Sequence, residues 1–370
     1  MPTNRTDQQP NMERFVSPHI RAMQPYAPIS PPDVLEGETG SGATRIIKLD
    51  GNENPYAPSP RVKKVIAEEI ANVNFYPDPE QRALRKALAT YTAYDADWLV
   101  AGSGSDELID LLLRLFVDKG EEVIYTPPTF GMYSFNTKLV GGVGVEVRRK
   151  DDWSLDVDAV AKAVTGRTKV ILLASPNNPT GDLVSRAELL RLLDTGAPVV
   201  IDEAYYEFAG ETVIDMVRER SNLIVLRTFS KWAGLAGLRV GYGVMHPSVA
   251  ARLMLIKPPY NVNNLAQKAA AASVEDRGYL MDSVHRMVRD RDALMRDLAE
   301  TGMLHPYPSR ANFILCKVLR GDARHIHQKL RTQGIFIRYF DSPRLQDHIR
   351  ISIGTAEDHK ALLTALKGLA

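Results

Sequence analysis

The sequence predicts an α/β protein: a sheet covered on both faces by helices, joined to a smaller α/β unit at the C-terminal end. Three observations predict it. Short β-branched runs recur between residues 122 and 244, and helical or polar segments separate most of them. Strands that alternate with helices need a sheet with helices on both faces. Helix formers dominate residues 265–300, including an alanine-rich stretch at 269–272, so a long helix there could connect two domains. Beyond it, residues 311–319 and 334–338 are strand-like and 356–369 helical. A chain of 370 residues has room for two domains at about 100–200 residues each.

In chain order, residues 1–12 are polar and aperiodic and are expected to be disordered. Residues 24–42 carry four prolines and three glycines, the composition of an extended arm rather than a helix. Arg61–Ile70 and Gln81–Tyr94 read as amphipathic helices, and Leu108, Leu111, Leu112 and Leu115 fall at helical spacing. The strand candidates are Glu122–Tyr125, Gly144–Arg148, Lys169–Leu173, Pro198–Ile201, Leu223–Leu226 and Arg239–Val244. The expected division is an arm over 1–48, a large domain over 49–260 and a small one over 261–370.

Composition narrows the function. Hydrophobic residues make up 44% and charged residues 25%, and the net charge is +1 from 46 basic and 45 acidic side chains. No basic run points to nucleic acid or a membrane surface. No stretch approaches the roughly 18 apolar residues of a membrane span, and residues 1–10 lack an apolar signal core. The single cysteine, Cys316, lies in the apolar run 313–316 and reads as a buried strand residue, not a catalytic thiol. A lone thiol fits a reducing compartment, and a cytoplasmic location is expected. His325 and His327 are two apart near a helix start and would face different ways, so no metal site is expected. Trp98 and Trp153 read as packing residues.

Four segments carry chemistry, each at or just beyond a predicted strand end, where ligands bind in open α/β sheets. Leu226 to Lys231 runs a strand into a lysine flanked by small and hydroxyl residues, with Arg239 eight positions later. A partly desolvated lysine becomes a nucleophilic amine, and Ser230 and Arg239 could hold a phosphate. Val199 to Tyr205 ends an apolar strand on Asp202, a carboxylate that needs a cationic partner if buried. Glu203 beside it could simply cap or face solvent. Ser175 to Gly181 makes a rigid turn that could aim the Asn178 amide at a ligand. Ala101 to Glu107 places glycines before a helix, leaving backbone N–H groups for a phosphate. Alone, each segment also admits a plain structural reading.

Together they resemble the fold-type-I pyridoxal-phosphate aminotransferases, closest to the histidinol-phosphate aminotransferase group. The resemblance spans roughly residues 20–365 and also rests on Leu49 to Pro55, Tyr76–Pro77–Asp78, Pro127 to Tyr133 and Arg350 to Gly354. It implies a mostly parallel seven-stranded sheet in the large domain, bound pyridoxal 5′-phosphate, and a homodimer with shared active sites. By the same resemblance, Lys231 bonds the cofactor as a Schiff base and moves the proton between Cα and C4′. Asp202 pairs with the pyridine nitrogen, Tyr205 and Asn178 reach the phenolic oxygen, and Phe130 stacks on the ring. Ser105, Asp106, Thr228, Ser230 and Arg239 surround the phosphate, with Tyr76 from the neighbouring subunit. Arg350 takes the substrate's anionic group, with Arg338 and Tyr26 assisting. Phe130 is a departure, since many relatives carry tyrosine there.

The implied reaction is amino transfer between histidinol phosphate and 2-oxoglutarate. Aromatic amino acid transamination and phosphothreonine decarboxylation share much of this motif set. Cofactor binding without turnover is disfavoured by the intact Lys231, Asp202 and Arg350.

Overall fold

The computed structural model describes residues 11–37, 39 and 45–369. The strands are β1 (Ile47–Leu49), β2 (Leu99–Gly102), β3 (Glu122–Tyr125), β4 (Val143–Glu146), β5 (Thr168–Ala174), β6 (Val199–Asp202), β7 (Leu223–Thr228), β8 (Gly241–Val244), β9 (Leu304–Pro306), β10 (Phe313–Val318), β11 (Ile335–Tyr339) and β12 (His348–Ser352). They form a seven-stranded sheet of order β2-β8-β7-β6-β5-β3-β4 and a five-stranded sheet of order β1-β11-β12-β10-β9. In the larger sheet β8 alone runs against its neighbours.

The central strands of that sheet are continuous apolar runs because both faces are covered. Successive side chains point to opposite faces, and the core divides accordingly. Ile171, Leu173, Val199, Ile201 and Val225 join one cluster; Val170, Leu172, Val200, Ile224 and Leu226 join the other. The smaller sheet is mainly antiparallel, with β1 added in parallel to β11. The end of the arm is thereby built into the sheet of the C-terminal region.

Several expectations needed correction. The helix expected through 265–300 is two helices, Asn264–Glu275 and Arg277–Glu300, divided at Asp276. The Asp276 N–H closes the first helix on Ala272, and Gly278 in the next turn is a poor helix former. The arm is not wholly extended: Pro32–Glu36 is a helical turn with proline in its first position, where the missing N–H costs nothing, and it buries Leu35. Arg350 sits at the centre of β12. The disorder expected for 1–12 falls mostly outside the described residues; within it, Met12 opens a 3₁₀ turn over Met12–Phe15. Cys316 is fully buried and burial pushes its thiol up, so it is packing material. Trp153 also packs in the core, against Leu315 and Leu345.

Candidate active site

The larger sheet presents the C-terminal ends of β2, β5, β6 and β7 along one edge, and each delivers one of the four segments. After β2 the chain turns at Gly104, with φ of +79°, into the helix Gly104–Phe116, so Ser105 and Asp106 occupy its first turn. The first four N–H groups of a helix have no partner within it, and the helix dipole makes that end attractive to an anion. A Cβ at Gly104 would overlap the Arg239 guanidinium, so the glycine lets that cation approach the backbone. Arg239 itself has φ of +53° and donates to Ser230 Oγ at 3.4 Å and Asp106 Oδ2 at 3.1 Å. Thr228 Oγ1 lies 2.9 Å from Ser230 Oγ. Backbone N–H groups, two hydroxyls and a guanidinium could together hold a phosphate. Asp106 could take part only through its backbone and through its hold on Arg239, since a carboxylate cannot donate to an anion.

At the end of β7, Lys231 Nζ donates to the Gly51 carbonyl at 3.2 Å. Burial first, and the Arg350 charge second, push its amine down to about 8; Glu53, Asp106 and Arg239 also act on it. About a tenth of the amine is therefore neutral near pH 7, far more than for an ordinary lysine. At the end of β6, Asp202 is buried and makes no ion pair with a cation among the described residues. Its oxygens accept from Tyr133 Oη at 3.1 Å and Ala204 N at 3.1 Å. Burial, then the Asp106 charge, raises its carboxyl to about 7. Glu203 does not face solvent as the sequence allowed. It is 2% exposed and accepts from Arg227 Nε at 2.9 Å, an ion pair on the far side of the strand end.

Tyr205 is buried, which raises its hydroxyl to about 12 and keeps it a donor at neutral pH. That hydroxyl also accepts from Asn52 Nδ2 at 3.0 Å. Asn178 Oδ1 accepts from Arg350 Nη1 at 2.6 Å, which leaves the Asn178 amide N–H groups for a ligand. Phe130 is partly buried and meets Tyr133 edge-on at 5.7 Å. Arg350 is buried, donates to the Asp50 carbonyl, and has an unpartnered Nε. Arg338 lies directly opposite it across β11 and β12 and donates to the Ala27 carbonyl of the arm at 3.2 Å. Neither arginine makes an ion pair with a carboxylate among the described residues. Tyr26 lies across the turn before the helix Met132–Leu139: a Cβ on Gly131 would sit 3.2 Å from its ring.

Tyr76 stands apart from this cluster. It is 80% exposed and stacks on Tyr260 at 4.5 Å. The sequence reading assigned no role to Asn52, Ser352 or Tyr133, although all three stood inside quoted motifs. Asn52, at φ of +53°, donates its N–H to Ser352 Oγ at 2.8 Å and so ties the loop after β1 to β12. A non-glycine residue in the left-handed region is a contact-level feature that spacing does not reveal.

The groups present suit a cofactor with a basic ring nitrogen, an aldehyde and a phosphate. Among the described residues, a buried carboxylate without a cationic partner, an amine pushed down to about 8 and a helix N-terminus beside a guanidinium lie at neighbouring strand ends. Residues 44–366 match the family described as aminotransferase class I and II. The chain is 48% identical over 364 residues to a histidinol-phosphate aminotransferase of Roseiflexus castenholzii, covering 96% of this chain and 98% of that one. It is 43% identical over 356 residues to a histidinol-phosphate aminotransferase of Dehalococcoides mccartyi, with the same coverage. The fold superposes on a histidinol-phosphate aminotransferase from Sinorhizobium meliloti, solved in complex with pyridoxal 5′-phosphate. The TM-score is 0.87 at 28% identity, covering 96% of this chain and 97% of that one.

Proposed function

The chain belongs to the class I and II aminotransferases, and from that premise we propose that it transfers the amino group between histidinol phosphate and 2-oxoglutarate, a step of histidine biosynthesis. One observation carries the substrate reading. Arg338 and Arg350 stand opposite each other across two strands, and the Arg350 charge acts on Lys231. Like charges directly opposite destabilise a sheet, so this pair calls for an anion between or above it. Phosphate and carboxylate both match the guanidinium fork. The site must accept both, because histidinol phosphate brings a phosphate and glutamate a second carboxylate in the other half-reaction.

Pyridoxal 5′-phosphate, when bound, supplies an electron sink for the charge that develops at the substrate Cα and carries the amino group between half-reactions. Lys231 would bond the cofactor aldehyde, and its near-neutral amine suits it to take the Cα proton and return it elsewhere. Asp202 would hold the charge opposite the ring nitrogen. Tyr205 and Asn178 would donate to the phenolic oxygen, and Phe130 would cover the ring face. The helix N-terminus at Ser105 and Asp106, with Thr228, Ser230 and Arg239, would fix the phosphate. Tyr76, exposed beside the exposed Val73 and Phe75, would complete the phosphate site of a second subunit in a homodimer. We place the arm's end at 48 and the domain boundary near 260, and the enzyme in the cytoplasm. No helix among the described residues is long and apolar enough to cross a membrane.

The test is a donor comparison with 2-oxoglutarate as acceptor. Histidinol phosphate should be preferred over phenylalanine, tyrosine and phosphothreonine. Preference for an aromatic donor, or carbon dioxide released from phosphothreonine, would replace this assignment.

A further inference from the structure

Among the described residues, two donors hold Asp202: the backbone of Ala204 and the hydroxyl of Tyr133. Tyr133 belongs to the first turn of the helix Met132–Leu139 and is 1% exposed. Its position is fixed at several points. Its N–H donates to the Phe130 carbonyl at 3.1 Å, and its own carbonyl accepts from Thr137 Oγ1 at 2.7 Å. Its ring stands edge-on to Phe130, with an interplanar angle of 88°. Burial, with Asp202 beside it, pushes the Tyr133 hydroxyl well above its ordinary range, so it stays a proton donor.

A carboxylate taken out of water reverts to the neutral acid unless donors or a cation hold its charge. A donor aimed at the ionised form opposes that reversion. We propose that Tyr133 is a positioning residue for this reaction: its hydroxyl favours the ionised form of Asp202 and aims it at the cofactor's ring nitrogen, and its ring sets the tilt of Phe130. The proposal rests on Asp202 serving the ring nitrogen, as the preceding section reads it. Tyr133 acts through Asp202 and Phe130 and touches neither substrate nor cofactor in this role. Phe130 lies just before the helix and Tyr133 in its first turn, so one helix start serves the ring's face and its nitrogen together.

Tyr133→Phe tests it, because it removes one oxygen and keeps the ring. Turnover should fall about tenfold with KM changed less than about twofold, the pattern of a contribution made mainly in the transition state. In an Asp202→Asn background the same substitution should change turnover by less than about twofold, since a residue acting through Asp202 has nothing left to act on. Independently of turnover, the ring-nitrogen NMR signal of ¹⁵N-labelled cofactor should move toward the unprotonated position in Tyr133→Phe. An unmoved signal, or an equal loss of turnover in both backgrounds, overturns the proposal. Asp202→Asn at near-normal turnover overturns the reading of Asp202, and this proposal with it. A large Asp202→Asn effect alongside a silent Tyr133→Phe overturns the proposal alone.

Discussion

Lys231 shows how local burial sets chemistry at the scale of one residue. An ordinary lysine titrates near pH 10.4, so only a minute fraction is a free amine at pH 7. Lost hydration disfavours the ammonium form, the Arg350 cation disfavours it further, and the amine titrates at about 8. The neutral amine is the form that attacks an aldehyde, and it gains as pH rises. The rate at which apoenzyme captures pyridoxal 5′-phosphate should therefore rise through pH 7, reach half its plateau at about 8 and level off above. A rate still climbing through pH 10 would deny the shift, and a borohydride-fixed adduct mapped to another lysine would deny the residue. The role proposed for Lys231 could be read from the sequence because strand, serine, lysine and downstream arginine lie close together in it. Its hydrogen bond to Gly51, 180 positions away, was not, because only folding brings the loop after β1 to the end of β7.

At the scale of elements, the parallel strands of the larger sheet announced themselves through unbroken β-branched runs. The strand β12 did not, since its Arg350 and His348 interrupt the apolar pattern while remaining buried. A functional charge inside a strand breaks the pattern by which strands are read. The same placement sets unequal weights on the two arginines. Arg350 is buried and ion-paired to no carboxylate among the described residues, whereas Arg338 is partly exposed and contacts the arm. Arg350→Ala should weaken histidinol phosphate by roughly 2–5 kcal/mol, the range for truncating one side of a buried charged contact. Screening by solvent reduces the value of Arg338, and Arg338→Ala should cost about tenfold in kcat/KM. Phenylalanine, which lacks the phosphate, should lose less in the Arg338 variant. Equal losses on both donors would move the assignment to aromatic transamination.

At the scale of the whole molecule, the smaller sheet was only partly legible. Two of its strands, β1 and β9, have three residues each, too few for periodicity to register, and β1 comes from the opposite end of the chain. Tyr76 belongs to this scale too, because its proposed role requires a second subunit. Mixing Tyr76→Phe chains with Lys231→Ala chains should yield hybrid dimers with one site free of both defects, and hence more activity than either parent. Activity no higher than the parents' would argue for self-contained sites. The claim that joins every scale is that the Lys231 cleft and the arginine pair process histidinol phosphate by amino transfer. Its most direct measurement is a half-reaction without 2-oxoglutarate, following the cofactor spectrum and the product together. The account predicts that histidinol phosphate converts the cofactor to its aminated form in every active site, with one keto product formed per site and no carbon dioxide. Failure of histidinol phosphate to aminate the cofactor while phenylalanine or tyrosine does so, or release of carbon dioxide from phosphothreonine, would contradict it.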